Sequence, residues 1–158
     1  MEFHKLQEAD RDTFLEMARE FYHSDAVLKP VPDSYFENTL KECLRSDEYL
    51  LCYILEWGEN AAGYALLSKS YSPEAGGPVL WVEEIYIRPA FRAHRIGSDF
   101  LTSLCQNPPA GVRRIRLEVE AENTRAIALY KRLGFRFLPY LQMGLIKNKA
   151  VLRLCKNA

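Results

Sequence analysis

Residues 79–104 read VLWVEEIYIRPAFRAHRIGSDFLTSL and constrain the chain more than any other stretch. A β-branched and aromatic run stops at Pro89. A short basic loop with one glycine follows, and Ile96, Phe100, Leu101 and Leu104 then recur at helical spacing. A strand feeding a helix through such a loop leaves the first helical N–H groups without internal partners, and the helix dipole adds positive potential there. An anion site is expected at the turn, with a phosphate-bearing cofactor in it and the reactive end of that cofactor along the strand.

The 158 residues fit one domain, residues 1–158, with enough chain to close a core. The 21 basic residues balance the 21 acidic ones, so bulk charge gives no reason to expect nucleic acid or an anionic membrane as partner. No apolar run reaches membrane-spanning length, and the opening MEFHKLQEADRD is too polar for a signal peptide. Cys43, Cys52, Cys105 and Cys155 show no CxxC spacing. They read as free thiols in a reducing compartment rather than a disulfide framework or a metal site, and a cytoplasmic location is expected.

The element order reads β α α β β β α β α β β. Residues 3–7 suggest a first strand. Asp10 is placed to cap a helix with Phe14, Met17, Ala18 and Phe21 on one face, ending near residues 23–24. The prolines of DAVLKPVPD mark an extended loop, and Ser34 with Glu37 suggests a capping box for a second helix. Residues 49–56, YLLCYILE, are too continuously apolar for a solvent-facing strand and read as central. A turn over residues 57–60 leads to a hairpin strand over 61–70, in which Gly63 suggests a bulge or a close backbone approach. Residues 114–119 alternate as a strand, and 123–133 form a helix closed by Gly134. Residues 135–143 and 150–154 suggest a closing hairpin. Long hairpins with one β–α–β crossover exclude a doubly wound pattern.

Three groups of residues carry chemistry. Residues 92–98, RAHRIGS, offer backbone N–H groups; Gly97 lacks a Cβ and so lets a phosphate approach, while Arg92, His94 and Arg95 add charge. Glu83 and Glu84 interrupt an apolar strand. By strict alternation only one of them shares a face with Ile85 and Ile87. Either could be a general base, and either could rest in a salt bridge. Asn123 is a good N-cap, and Tyr130 shares a helical face with Ala126 and Leu133, where a buried hydroxyl needs a partner.

The order of these groups resembles the GNAT superfamily of acetyl-CoA-dependent N-acyltransferases. VEEIYIRPAFRAHRIGSDFL is similar to the family's strand, R/Q-x-x-G-x-G/A loop and helix. LEVEAENTRAIALYKRLGF is similar to its N-x-x-A-x-x-x-Y-x-x-x-G-F signature. Arg95 stands where that loop usually has its first glycine, and Ala93 where a glycine is frequent. Backbone donation from the loop then requires Arg95 to keep a helical φ, and its side chain could add a phosphate contact. The resemblance implies an α/β (α+β) GNAT fold: a mixed, mostly antiparallel sheet of about seven strands with four helices, splayed between strands 4 and 5.

It also implies acetyl-CoA as cofactor. The diphosphate would lie on the N–H groups of Ala93, His94, Arg95, Gly97 and Ser98, beside Arg92 and Ile96. The pantetheine arm would pair along Ile85, Tyr86 and Ile87, with Asn123 and Ala126 on its other side. The expected reaction is direct attack of a primary amine on the acetyl group through a tetrahedral intermediate. An alkylammonium, with a pKa near ~10, must lose a proton first. Glu83, directly or through a water, is the candidate base. Spermidine and thialysine N-acetyltransferases resemble this stretch and place a glutamate at the matching position; Glu84 is the fallback. Tyr130 would return a proton to the CoA thiolate. No metal is required.

The acceptor side of such a fold falls on residues 21–35 and 138–144, with Phe21, Tyr22, Asp25, Tyr35 and Glu83 as candidate contacts for a small-molecule amine. Arg95 also fits a catalytically silent acyl-CoA-binding module, and a peptide or protein amine is a further alternative acceptor. By analogy with the superfamily a homodimer is possible, through the C-terminal strands.

Overall fold

The computed structural model describes residues 2–24 and 31–143. Among them are five strands: β1 (Glu2–Lys5), β2 (Leu50–Trp57), β3 (Asn60–Ser72), β4 (Gly77–Ile87) and β5 (Arg114–Leu117). Four helices accompany them: α1 (Arg11–Tyr22), α2 (Asp33–Arg45), α3 (Ile96–Gln106) and α4 (Thr124–Arg132). The strands lie in sequence order in one sheet. The β1–β2, β2–β3 and β3–β4 pairs are antiparallel, and β4–β5 is parallel because α3 carries the chain across.

The apolar pattern dictates the layers. Leu51 and Leu55 of β2 point to one face of the sheet, where they meet Ile96, Phe100 and Leu104 of α3. Cys52 and Ile54 point to the other, where they meet Phe14 and Met17 of α1 and Phe36, Leu40 and Cys43 of α2. A strand covered on both faces has no polar side, which is why residues 49–56 read as a continuous apolar run.

Two bulges shape the sheet. One lies where Leu55 pairs with Gly63 and Glu56 with Ala61, leaving Ala62 without a partner residue. The other lies where Leu66 pairs with Glu84 and Leu67 with Val82, leaving Glu83 without one. The close approach expected at Gly63 is present: a Cβ there would sit 2.1 Å from the Tyr86 carbonyl oxygen. Pairing of β4 with β5 stops at Val82–Leu117, while β4 keeps its pairing with β3 as far as Ile87. β5 itself ends at Leu117, so β4 presents an open edge beyond Val82 on its β5 side among the described residues, at the place where a splay between strands 4 and 5 is expected.

Some expectations change. Asp10 occupies the N-cap position of α1 without bonding the helix. Its carboxylate instead accepts from the Gln7 N–H at 2.8 Å and lies 3.1 Å from His4 Nε2. Ser34 and Glu37 form no capping box, because the N-cap of α2 is Pro32, two residues earlier, and the helix starts at Asp33. The sheet has five strands among the described residues rather than about seven: residues 135–143 carry no strand, and 150–154 lie outside the described residues. The apolar alternation of 135–143 promises a strand only if a neighbour supplies the ladder hydrogen bonds. Gly134 closes α4 as expected, at φ +92°, with Phe135 N–H on the Tyr130 carbonyl at 3.0 Å and Gly134 N–H on that of Lys131 at 3.1 Å.

Candidate active site

The loop after β4 is built to expose donors. Among the described residues, the backbone N–H groups from Ala93 to Ser98 donate to no protein acceptor; the helical ladder begins with Asp99 N–H on the Arg95 carbonyl at 2.8 Å. Six consecutive free N–H groups at a helix start form a strong anion cradle. All but that of His94 belong to residues lining a cavity of about 570 Å³, which Arg92, Arg95, Arg125 and Arg132 line together with Asn123 and Ala126. Asn123 Oδ1 caps α4 by accepting from Ala126 N–H at 3.1 Å, which leaves its NH2 group as the donor available to that cavity. The residues fit a diphosphate: donors and cations surround the space, and no carboxylate lines it. Arg125 and Arg132 escaped the sequence reading. Their spacing of seven on α4 puts them on the face that carries Ala126 and Leu129.

Arg95 does not keep a helical φ. It sits at φ +63° and Ala93 at φ +70°, both left-handed. An L-residue there costs roughly 1–2 kcal/mol. The two residues thus adopt the shape for which glycine would be the ordinary choice, and the donors stay free of protein acceptors among the described residues. Gly97 also differs from expectation. A Cβ on it would meet Ile85 Cγ2 at 3.3 Å and Ile87 Cγ1 at 3.8 Å, so the missing side chain lets α3 lie close on β4. Its bareness serves helix–strand packing, while its N–H belongs to the cradle.

The bulge at Glu83 changes the reading of the two carboxylates. Ile85 and Ile87 pack on the α3 side of the sheet. Glu84 points to the α1–α2 side, where it accepts hydrogen bonds from the hydroxyls of Tyr22 and, at 2.6 Å, Tyr64. Glu83 accepts from the Ser68 hydroxyl, and Ser68 follows Tyr64 and Leu66 at alternate positions on that same side. An extra residue in the strand resets the alternation. Neither glutamate therefore shares a face with Ile85 and Ile87.

Their environments differ. Burial pushes the Glu84 carboxyl above the usual range; the two phenol donors oppose this and the charge of Glu83 adds to it. Burial, helped by Glu84, also raises the hydroxyls of Tyr22 and Tyr64. Glu83 is exposed. Tyr64 went unmarked in the sequence, although a tyrosine at an inward position of an apolar strand asks for a partner.

Phe21 stacks edge-on against Tyr22, with ring centroids 5.1 Å apart, and lies 5.8 Å from Tyr86. Tyr86 donates to Glu20 at 2.9 Å, and its hydroxyl is pushed up to about 12, first by burial and then by that bond. Glu20 also accepts from Arg88 at 3.2 Å, and Glu16 from Arg88 at 2.5 Å. Glu84 and Tyr86 of β4, with Arg88 just after the strand, thus hold α1 at Tyr22, Glu20 and Glu16. Tyr35 is exposed on the first turn of α2. Asp25 lies outside the described residues.

Tyr130 is half-buried, packs against Phe135 at 5.9 Å, and makes no hydrogen bond through its hydroxyl among the described residues. The partner expected for that hydroxyl is not found because the oxygen is not itself buried. Burial of the ring raises its pKa. Tyr130 lines a second cavity, of about 910 Å³, along β5 and the end of α4.

An open β4 edge with a donor-rich loop at its end suits an acyl-CoA-dependent transferase. The profile of the Acetyltransferase (GNAT) family matches residues 11–135, and the chain belongs to that family. It is an N-acetyltransferase that uses acetyl-CoA. A thialysine N-epsilon-acetyltransferase of Sus scrofa is 30% identical over 143 residues, covering 85% of this chain and 83% of its own. That of Bos taurus is 29% identical over 144 residues, 82% and 81% of the two chains. Among solved structures, a possible acetyltransferase from Clostridium difficile 630 superposes with TM-score 0.76 at 17% identity, covering 93% of this chain and 97% of that one. AAC(6')-Iy in complex with the bisubstrate analog CoA-S-monomethyl-acetylneamine superposes with TM-score 0.74 at 18% identity, covering 93% and 98%. Among the described residues no helix is long and apolar enough to cross a membrane, and no group of His, Cys, Asp and Glu side chains could hold a metal ion.

Proposed function

We propose that the chain transfers the acetyl group of acetyl-CoA to a primary amine of a small cationic molecule. The observation that carries this reading is the run of free N–H groups from Ala93 to Ser98, at the foot of a β4 edge that has no strand partner beyond Val82 among the described residues. That edge can accept an extended arm as an added strand, along Ile85, Tyr86 and Ile87. Acetyl-CoA supplies the acetyl thioester.

The residues then divide the work. Glu83, exposed at the bulge, takes the proton of the incoming ammonium, directly or through a water. Glu84, held by Tyr22 and Tyr64, adds negative charge beside the acceptor, with Phe21 and Tyr35 as further walls. Tyr130, a phenol that holds its proton at neutral pH, is the group that returns a proton to the departing thiolate. The thialysine acetyltransferases among the relatives and the aminoglycoside complex among the fold neighbours support a small polycationic acceptor. Arg95, the feature that favours a silent binding module, takes the backbone shape of the glycine it replaces, which supports a working loop. A homodimer is part of the same proposal.

Acetyl-CoA at about 100 times its dissociation constant is expected to add about 2.7 kcal/mol of stability, a rise of roughly 5–11 °C in Tm at this chain length. No shift at millimolar acetyl-CoA would end the proposal. CoA release measured with a panel of diamines and basic amino acids then identifies the acceptor; release that never depends on amine would select the silent reading. Tyr130→Phe is expected to lower kcat by about 10²-fold, with the dissociation constant of acetyl-CoA unchanged. A kcat within threefold of wild type would remove Tyr130 as the proton donor.

A further inference from the structure

His94 does not line the cavity beside the loop, and the two residues that flank it, Ala93 and Arg95, are both left-handed. The ring nitrogen Nδ1 lies 3.2 Å from the Phe91 carbonyl oxygen and 3.1 Å from that of Arg92. Both partners are acceptors, so Nδ1 carries the hydrogen and donates. The ring meets Trp57 at a centroid distance of 4.8 Å and an angle of 48°. Trp57 ends β2 and pairs with Asn60 across the two-residue turn in which Gly58 stands at φ +62°. It is therefore fixed by the sheet and not by the loop. His94 does not line the cavity, whereas its neighbours Ala93 and Arg95 do.

We infer that Trp57 and His94 are positioning residues for acetyl-CoA: the sheet-held indole and the inward Nδ1–H bonds keep Ala93 and Arg95 left-handed, in place of the glycines this chain lacks. The inference rests on the reading of that loop as the diphosphate cradle. Its physical basis is a population. A loop competent only when both residues are left-handed binds with an affinity reduced by the fraction of time it is so. Glycine raises that fraction through the backbone, since left-handed φ costs it nothing. The stack on Trp57 raises it from outside.

The test is calorimetric titration of CoA into wild type, Trp57→Ala, His94→Ala and each of these combined with Ala93→Gly and Arg95→Gly, alongside kcat and both KM values. Trp57 is 39% exposed and His94 lies in an exposed loop, so both truncations leave the buried core intact. Each truncation is expected to weaken CoA roughly 3- to 10-fold, the scale of one aromatic contact, and to raise the KM of acetyl-CoA alike. The KM of the amine and kcat stay within twofold. The loop glycines are expected to recover most of the lost affinity in either background.

A merely structural role would lower Tm or kcat and would not be rescued by glycines. Truncations that bind CoA as wild type does, or losses that the glycines leave untouched, overturn the inference alone. Wild type that binds no CoA removes the functional reading and this inference with it.

Discussion

Gly63→Ala is expected to lower stability by about 3 kcal/mol, or roughly 10 °C in Tm, because the added Cβ has nowhere to go. It would sit 2.1 Å from the Tyr86 carbonyl oxygen and 3.1 Å from the Ile87 Cα, and neither is a side chain that can turn away. Gly63 pairs with Ile87, the last residue of β4, so relief of the clash must push the end of β4 outward. That end carries the cradle, and the variant is expected to lose CoA affinity along with stability. Gly58→Ala is the control: its Cβ meets nothing within 4 Å, and the cost is only that of its left-handed φ, about 1 kcal/mol. A Gly63→Ala protein that melts within 2 °C of wild type would show that β3 and β4 are not as closely apposed as described.

The second large effect separates the two glutamates. Glu83→Gln is expected to lower kcat/KM for the amine by about 10²- to 10⁴-fold near pH 7 if its carboxylate is the base. The deficit shrinks as pH approaches the pKa of the amine, because the acceptor then arrives already deprotonated. Glu84→Gln is expected to act mainly on the KM of the amine and on stability, since both its carboxylate oxygens already accept phenol hydrogens.

Its stability effect has a definite sign. Burial raises the folded-state pKa of Glu84 above the unfolded value, so its contribution is fully present below the ordinary carboxylate range and is lost as pH rises through the folded value. Wild type should therefore lose stability relative to Glu84→Gln as pH climbs from about 4.5. The ionisable groups facing Glu84 are Tyr22 from α1, Tyr64 from β3 and Glu83 on β4 itself, with Cys43 of α2 and Cys52 of β2 close behind. The hydroxyls, raised by burial, stay neutral in that range, so Glu83→Gln is the variant that checks for cross-talk between the two carboxylates. Melting curves of the three proteins from pH 4 to 8 decide it. A wild-type stability that stays level with, or gains on, that of Glu84→Gln as pH rises would contradict the burial of Glu84. If the kinetic roles of Glu83 and Glu84 exchange, Glu84 is the base.

How far the sequence reaches can be judged residue by residue. The two-face burial of β2 follows from eight positions with almost no polar residue, and nothing outside the strand is needed to see it. Helix α3 follows from Ile96, Phe100, Leu101 and Leu104, all of which are buried. Asn123 as cap and Gly134 as stop are local chemistry and hold in the structure. The free N–H groups of residues 95–98 are equally local, since any helix start leaves its first four without partners. These features depend on contacts a few residues apart, so a linear pattern carries them.

Register belongs to another class. Period-two alternation separates Glu83 from Glu84, yet one extra residue opposite Leu66 and Leu67 returns both to the α1–α2 side. The bulge depends on how β3 and β4 align across a 20-residue separation in the case of Tyr64 and Glu84, and no local pattern records it. For the same reason the partner of Glu84 at Tyr64, and the meeting of Trp57 with His94, could only come from tertiary structure. The sequence by itself determined that a donor-rich loop follows a central strand and which helix carries the tyrosine. Only the fold decided which way the carboxylates point, and that Arg95 takes a glycine's shape, because both depend on what the neighbouring strands press against.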